Sequence, residues 1–191
     1  MRAPDLNEEI VERVNELGPS TWSGTMHRHT SLGRDPLSGE GARRLGGRWN
    51  PRGVFSTIYL AQPELTAIRE LEYAAEAASM SLDDMLAVGR ELHTIEVEAV
   101  EVLDLRDPSR LLAVGLSPDD VGDADQTACQ AVGHAAWFLE FAGVLAPSAR
   151  NKQGLVLATF ESRLHPDQLR RTQSQRLDPL LLAQIVKGAS E

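Results

Sequence analysis

The run GGRWNPRG, Gly46 to Gly53, is the feature that most constrains what this chain can fold into. Glycine and proline interrupt helix and strand alike, so neither element passes cleanly through it. Yet the run also holds a charged arginine and a large indole, which a plain connecting turn does not require. Gly46 and Gly47 permit unusual dihedrals and let a ligand approach the backbone. Arg48 then projects from a constrained turn, a good way to offer a guanidinium fork to phosphate oxygens. Trp49 can bury its ring and anchor the turn, and Pro51 ends the excursion.

The chain becomes regular after this run. STIYLA reads as a short buried strand. PELTAIRELEYAAEAAS is a helix, with Pro63 in its first turn and Leu65, Ile68 and Leu71 on one face. Before the run the chain is irregular. From Ser20 to Gly53 there is little periodicity, and the Gly- and Arg-rich composition is too polar for core, so a long functional loop is expected. Arg28, Arg34, Arg43, Arg44, Arg48 and Arg52 cluster there. On charge alone they form a solvated basic face; their neighbours have to carry any stronger claim.

Elsewhere helices and strands mix. DLNEEIVERVNELG places Leu6, Ile10, Val14 and Leu17 on one face, with Gly18 as a stop. SLDDMLAVG is a helix capped by Ser81. LHTIEVEAVEVLDL forms one or two strands, and SPDDVGDADQ is an acidic loop or short helical turn. TACQAVGHAAWFLEFAG is an apolar helix ending at Gly143. GVLAPS and GLVLATF are strands, and DPLLLAQIVKG is a closing helix capped by Asp178. Without regular βαβ alternation, the class is α+β. A single domain over residues 1–191 is expected: an N-terminal helix at 1–18, a core at 20–160, and a C-terminal strand and helix at 161–191.

Composition excludes several functions. With 42% hydrophobic residues the chain can build a core, but no segment approaches the ~20 consecutive apolar residues of a membrane helix. A net charge of −9 opposes direct nucleic-acid binding, although a local arginine cluster can still hold a small anion. The polar, acidic N-terminus is not a signal peptide, and Cys129, alone, permits no internal disulfide, so a cytoplasmic protein is expected. His27 and His29 alternate as a metal pair would but lack a third ligand at recognisable spacing, so no metal is expected. GEGARR has one G-x-G and no third glycine, and neither Walker A nor G-x-S-x-G occurs. Cys129 reads as a small buried hydrophobe, and His134 and Trp137 as core or interface groups.

GGRWNPRG, IYLA and TAIRELE make more sense as one unit. Tyr59 lies just beyond the arginine turn with a flat face for a heterocycle. Glu70 and Glu72 come next on the helix, and only one of them can face the site, since i and i+2 do not share a helical face. A phosphate-binding arginine, a stacking tyrosine and one carboxylate suit NAD+. Its nicotinamide departs as a neutral ring and needs no general acid, whereas O-glycoside hydrolysis uses two carboxylates. One glutamate that steadies an oxocarbenium-like ribose is sufficient.

WSGTMHRHT, LSGEGARRLGGRWNP, IYLA, LHTIEV and CQAVGHAAWFLEFAGVL resemble the RES-domain toxins of Xre/RES toxin–antitoxin systems over nearly the whole chain. The resemblance implies a single-domain, ADP-ribosyltransferase-like α+β fold with a mixed sheet flanked by helices. It implies a toxin that degrades NAD+ by releasing nicotinamide, with NAD+ as substrate rather than cofactor. It also implies a cognate Xre-type antitoxin that occludes the active site in a hetero-oligomer. By position, the family arginine falls on Arg48, the glutamate on Glu70, a second arginine on Arg28 and the strand tyrosine on Tyr59. Arg28 and Arg48 would hold the pyrophosphate or an incoming phosphate, Tyr59 would pack on nicotinamide or its ribose, and Glu70 would stabilise the ribosyl cation. His29 stands where relatives carry a tyrosine. The family serine falls on Thr127, with Ser148 a second candidate for the hydroxyl. Water, phosphate or a protein side chain could take the ribosyl group, and the resemblance favours phosphate. The alternatives are a protein ADP-ribosyltransferase and a catalytically decayed, antitoxin-binding module.

Overall fold

The computed structural model describes residues 6–189; residues 1–5 and 190–191, including the expected helix start at Asp5, lie outside it. Helix α1 spans Glu8–Leu17. The Asn7 side chain accepts the Ile10 N–H at its start, and Gly18, at φ 67°, ends it.

Strand β1, Ser20–Ser31, overturns the expected long loop. It shows little apolar alternation because one part of it lines an open cleft, and Met26 is the side chain it sinks fully into the core. Its regularity comes from pairing. Eleven register positions, from Ser20↔Val102 to Ser31↔Arg90, tie it to β3, Arg90–Asp104. A short helix, α2 (Glu40–Leu45), also falls in the region expected to be irregular.

The next elements match expectation: β2 (Thr57–Gln62), α3 (Glu64–Ala77, with Pro63 as N-cap rather than inside the first turn) and α4 (Leu82–Ala87). After β3 come two short helices, α5 (Pro108–Ala113) and α6 (Pro118–Gly122). Ser81 with Asp84 and Ser117 with Asp120 form capping boxes at α4 and α6. Helix α7, Thr127–Phe138, stops before the expected Gly143. Gly143 instead opens β4, Gly143–Pro147, where a Cβ would sit 2.4 Å from the Ala158 carbonyl oxygen of β5, Leu155–Phe160. The chain closes with β6 (Leu169–Arg176) and α8 (Pro179–Gly188), capped by the Asp178 side chain.

The six strands of the described residues run in the order β1-β2-β5-β4-β3-β6, and β1 also pairs with β3, so the first five in that order close into a ring. Among the described residues, β3 and β4 alone pair in parallel. Met26, Ile58, Ile95, Leu145 and Leu157, one from each ring strand, meet in a single buried cluster. A fully buried side chain of this size contributes about 1.5–3 kcal/mol relative to exposure. A second cluster joins the sheet to α1 and α7 through Val14, Val132, Leu103 and Phe160. A third carries α3, α4 and α8 through Ile68, Leu71, Met85 and Ile185. The seam between β1 and β2 is slight, a single register pair at His27↔Ala61.

Candidate active site

The arginine turn is built from inside. Gly47 and Asn50 exchange backbone hydrogen bonds at 3.0 and 3.2 Å, and Gly46, at φ 81°, turns the chain out of α2. Asn50 is completely buried, and its side-chain amide donates to the Ala42 carbonyl at 2.9 Å. Trp49 is buried as expected. The Gln130 side chain on α7 donates to the Gly47 carbonyl at 3.0 Å.

Gly47 serves a different purpose from the one its sequence context suggests. A Cβ there would lie 2.5 Å from the Tyr59 hydroxyl and 2.8 Å from Asn50 Oδ1. The space is taken by the protein itself, not left for a ligand. Gly133 is equally constrained, since a Cβ on it would lie 2.0 Å from the Trp49 carbonyl oxygen. Helix α7 therefore backs the turn at closer than side-chain distance.

This framework opens onto a cleft of about 620 Å³, within the usual range for small-molecule sites. Arg28, His29, Arg48, Tyr59 and Glu70 all line it. Arg48 donates to the Asp120 carbonyl at 3.4 Å. Arg28 donates to the carbonyls of Pro36 at 2.6 Å and Ser38 at 3.1 Å. Burial lowers its guanidinium to about 10, against the opposing pull of Asp35 and Glu161, so it remains charged at neutral pH.

Among the described residues, no hydrogen-bond partner reaches the buried Nδ1 atoms of His27 and His29. Burial, with Arg90, Arg28 and His93 nearby, drives His29 down to about 3, so its imidazole is neutral. Burial lowers His27 as well, against Glu64. Among the described residues no group of three or more His, Cys, Asp and Glu could hold a metal ion.

Glu70 faces the cleft, whereas Glu72 pairs with Arg69 at 2.7 Å. Burial raises the Glu70 pKa, and Arg150, a hydrogen bond from Ser148 and Arg48 oppose that rise. The Ser148 hydroxyl donates to Glu70 Oε1 at 3.4 Å. Thr127 sits elsewhere: it is exposed at the start of α7, its backbone N–H donating to Asp125, and its neighbour Gln126 lines the cleft instead. The hydroxyl that meets Glu70 belongs to Ser148.

Sequence reasoning missed two cleft residues. Arg150 lies with its guanidinium carbon 3.4 Å from the centre of the Tyr73 ring. Tyr73 is three residues beyond Glu70, and helical spacing alone could have drawn attention to it. Arg150 gave no local signal, because the loop after β4 reaches α3 only in the fold.

Three guanidinium groups against one desolvated carboxylate make a cleft for a polyanion that also presents a region of developing positive charge. The RES domain matches residues 22–180. The NAD(+) phosphorylase MbcT of Mycobacterium tuberculosis is 48% identical over 180 residues, covering 94% of this chain and 96% of the relative, and MbcT of Mycobacterium bovis matches to the same extent. The crystal structure of the M. tuberculosis MbcT–MbcA toxin–antitoxin complex superimposes with a TM-score of 0.87, at 48% identity, covering 94% of this chain and 98% of that one. This chain belongs to the RES domain family.

Proposed function

We propose that this chain is the toxin of a toxin–antitoxin pair, and that it destroys NAD+ by transferring ADP-ribose from nicotinamide to phosphate. The observation that carries the reading is Glu70, a desolvated carboxylate held among Arg48 and Arg150 in a cleft of dinucleotide size. The extended identity to proteins named NAD(+) phosphorylase supports it, as does the likeness to a toxin solved with its antitoxin. The ADP-ribosyltransferase-like character implied by the sequence belongs to the same proposal.

Charge dictates the chemistry. The nicotinamide–ribose bond breaks toward a pyridinium that leaves as a neutral ring, so no acid is needed. Positive charge then develops on the ribose. Ionised Glu70 stabilises it, more strongly in a desolvated cleft than in water. Arg28 and Arg48 hold the pyrophosphate, and NAD+ is substrate with phosphate as co-substrate.

The test is incubation of antitoxin-free protein with NAD+, with and without phosphate, and resolution of the products by mass spectrometry. ADP-ribose 1″-phosphate together with free nicotinamide is the expected result. Intact NAD+ in both incubations overturns the reading, and ADP-ribose attached to protein with little free product replaces it with a transferase. The partner is expected to be a small protein that fills the cleft, so co-expression with it should suppress turnover.

A further inference from the structure

The three cleft arginines are committed to the fold to different degrees. Arg28 donates to two carbonyls, and Arg48 to one at the long distance of 3.4 Å. Among the described residues, no acceptor takes a hydrogen bond from the Arg150 guanidinium. That group is fixed through its face instead, stacked on Tyr73. Stacking orients the group and leaves its N–H donors without a hydrogen bond to protein among the described residues.

The placement is as specific as the orientation. Tyr73 and Glu70 are three apart on α3 and leave the same face. Among the charges acting on Glu70, Arg150 most strongly favours the ionised form. The loop carrying it is tied down on both sides. Ser148 Oγ accepts the N–H groups of Arg150 at 3.0 Å and Asn151 at 3.1 Å, and the Asn151 amide donates to Thr66 Oγ1 on α3 at 2.9 Å. A guanidinium oriented by a ring, with no hydrogen bond to protein among the described residues, and near enough to favour ionised Glu70, is what an attacking oxyanion requires.

We propose that Arg150 binds the acceptor phosphate, and so directs capture of the ribosyl cation by phosphate rather than water. The proposal rests on the NAD+-cleaving reading above. In the step, the C1″–N bond breaks with its electron pair passing to the pyridinium ring, which leaves as nicotinamide. A phosphate oxygen lone pair forms the new C1″–O bond. No proton moves and nothing is oxidised or reduced. Water as acceptor would have to lose a proton; a phosphate dianion does not.

The experiment uses full-length, antitoxin-free wild type, Arg150→Ala, Arg150→Lys and Tyr73→Leu. Phosphate is titrated at saturating NAD+ with both products quantified, and binding of inorganic phosphate alone is measured by calorimetry. Arg150→Ala is expected to raise the phosphate KM by about tenfold or more, the scale of a lost charge-assisted bidentate contact. The NAD+ KM should change by no more than about twofold, and product should shift toward ADP-ribose. Arg150→Lys, which keeps charge but loses the fork, should fall between. Tyr73→Leu, which keeps the Arg150 charge but removes the ring that orients it, should weaken phosphate binding, and this guards against an Arg150→Ala variant that simply misfolds. An unchanged phosphate KM and product ratio in Arg150→Ala overturns the proposal, as does an equal rise in both KM values. A wild type that yields only ADP-ribose at every phosphate concentration also overturns it and leaves NAD+ cleavage standing. A wild type that leaves NAD+ intact overturns the underlying reading instead.

Discussion

The Tyr59 hydroxyl donates to Asn50 Oδ1 at 2.8 Å while accepting the Trp49 N–H at 2.9 Å. A phenol on β2 is thus the inner pin of the turn that presents Arg48. Burial pushes its pKa up, so it stays protonated and remains a donor. Tyr59→Phe strands a buried oxygen and a buried N–H, each of which costs about 1–3 kcal/mol when left unpaired. The expected outcome is a lower urea midpoint together with reduced kcat/KM toward NAD+. Arg44→Ala, on the exposed end of α2, should change neither.

Gly133→Ala should be among the more damaging small changes in the chain, because the added methyl meets the Trp49 backbone rather than a movable side chain. Overpacking commonly costs about 1–3 kcal/mol, and two backbones cannot readily separate to relieve it. Gly122→Ala in α6 has open space within 4 Å and provides the control. Thermal unfolding of the two variants should diverge, with Gly122→Ala unchanged or slightly more stable.

Glu70→Gln should lower turnover by about 10²–10³, the usual scale for removing one electrostatic contact to a transition state. The same variant should be more stable than wild type at neutral pH. With its folded pKa above the unfolded value, Glu70 loses its proton first in the unfolded chain as pH rises, so its ionisation costs stability above that range. The stability gain of Glu70→Gln should disappear toward pH 4. A glutamine variant no more stable than wild type at pH 7 would contradict the desolvation argument.

The pH dependence of kcat/KM should fall on its acidic side as Glu70 takes up a proton, at a pH above the ordinary glutamate range. Ser148→Ala removes a hydrogen bond to the ionised form and should move that limb to higher pH. His29, held neutral down to about 3, should not shape the limb, so His29→Asn leaves it in place. The imidazole should act on stability instead. Protonated only in the unfolded chain between about 3 and 6.5, it reduces stability as pH falls through 6.5. Melting temperatures between pH 6.5 and 5 should therefore fall more steeply for wild type than for His29→Asn.

How much of this was legible in the sequence depended on distance along the chain. Helix α3 announced itself through apolar spacing, α7 through its largely apolar composition, and Ser81 and Asp178 through capping chemistry. Arg48, Tyr59 and Glu70 could be read together because they fall within one short turn–strand–helix segment. Strand β1 was illegible because its regularity lies in its pairing to β3, far down the chain, and because its cleft-lining residues are polar. The hydroxyl contact to Glu70 was equally hidden, since Ser148 lies 78 residues away in sequence. Only the closing of β4 and β5 against β2 and α3 brings those groups together.

The strand ring is joined at His27 and Ala61 by one register pair, whereas β2 meets β5 over six positions. Residues on both sides of that junction line the cleft. The seam with the sparsest pairing therefore lies along the cleft. A ligand held by Arg28 on β1 and by groups near Tyr59 on β2 would act as a staple across that joint. Whatever fills the cleft, substrate or inhibitor, would then bridge that single gap in the wall.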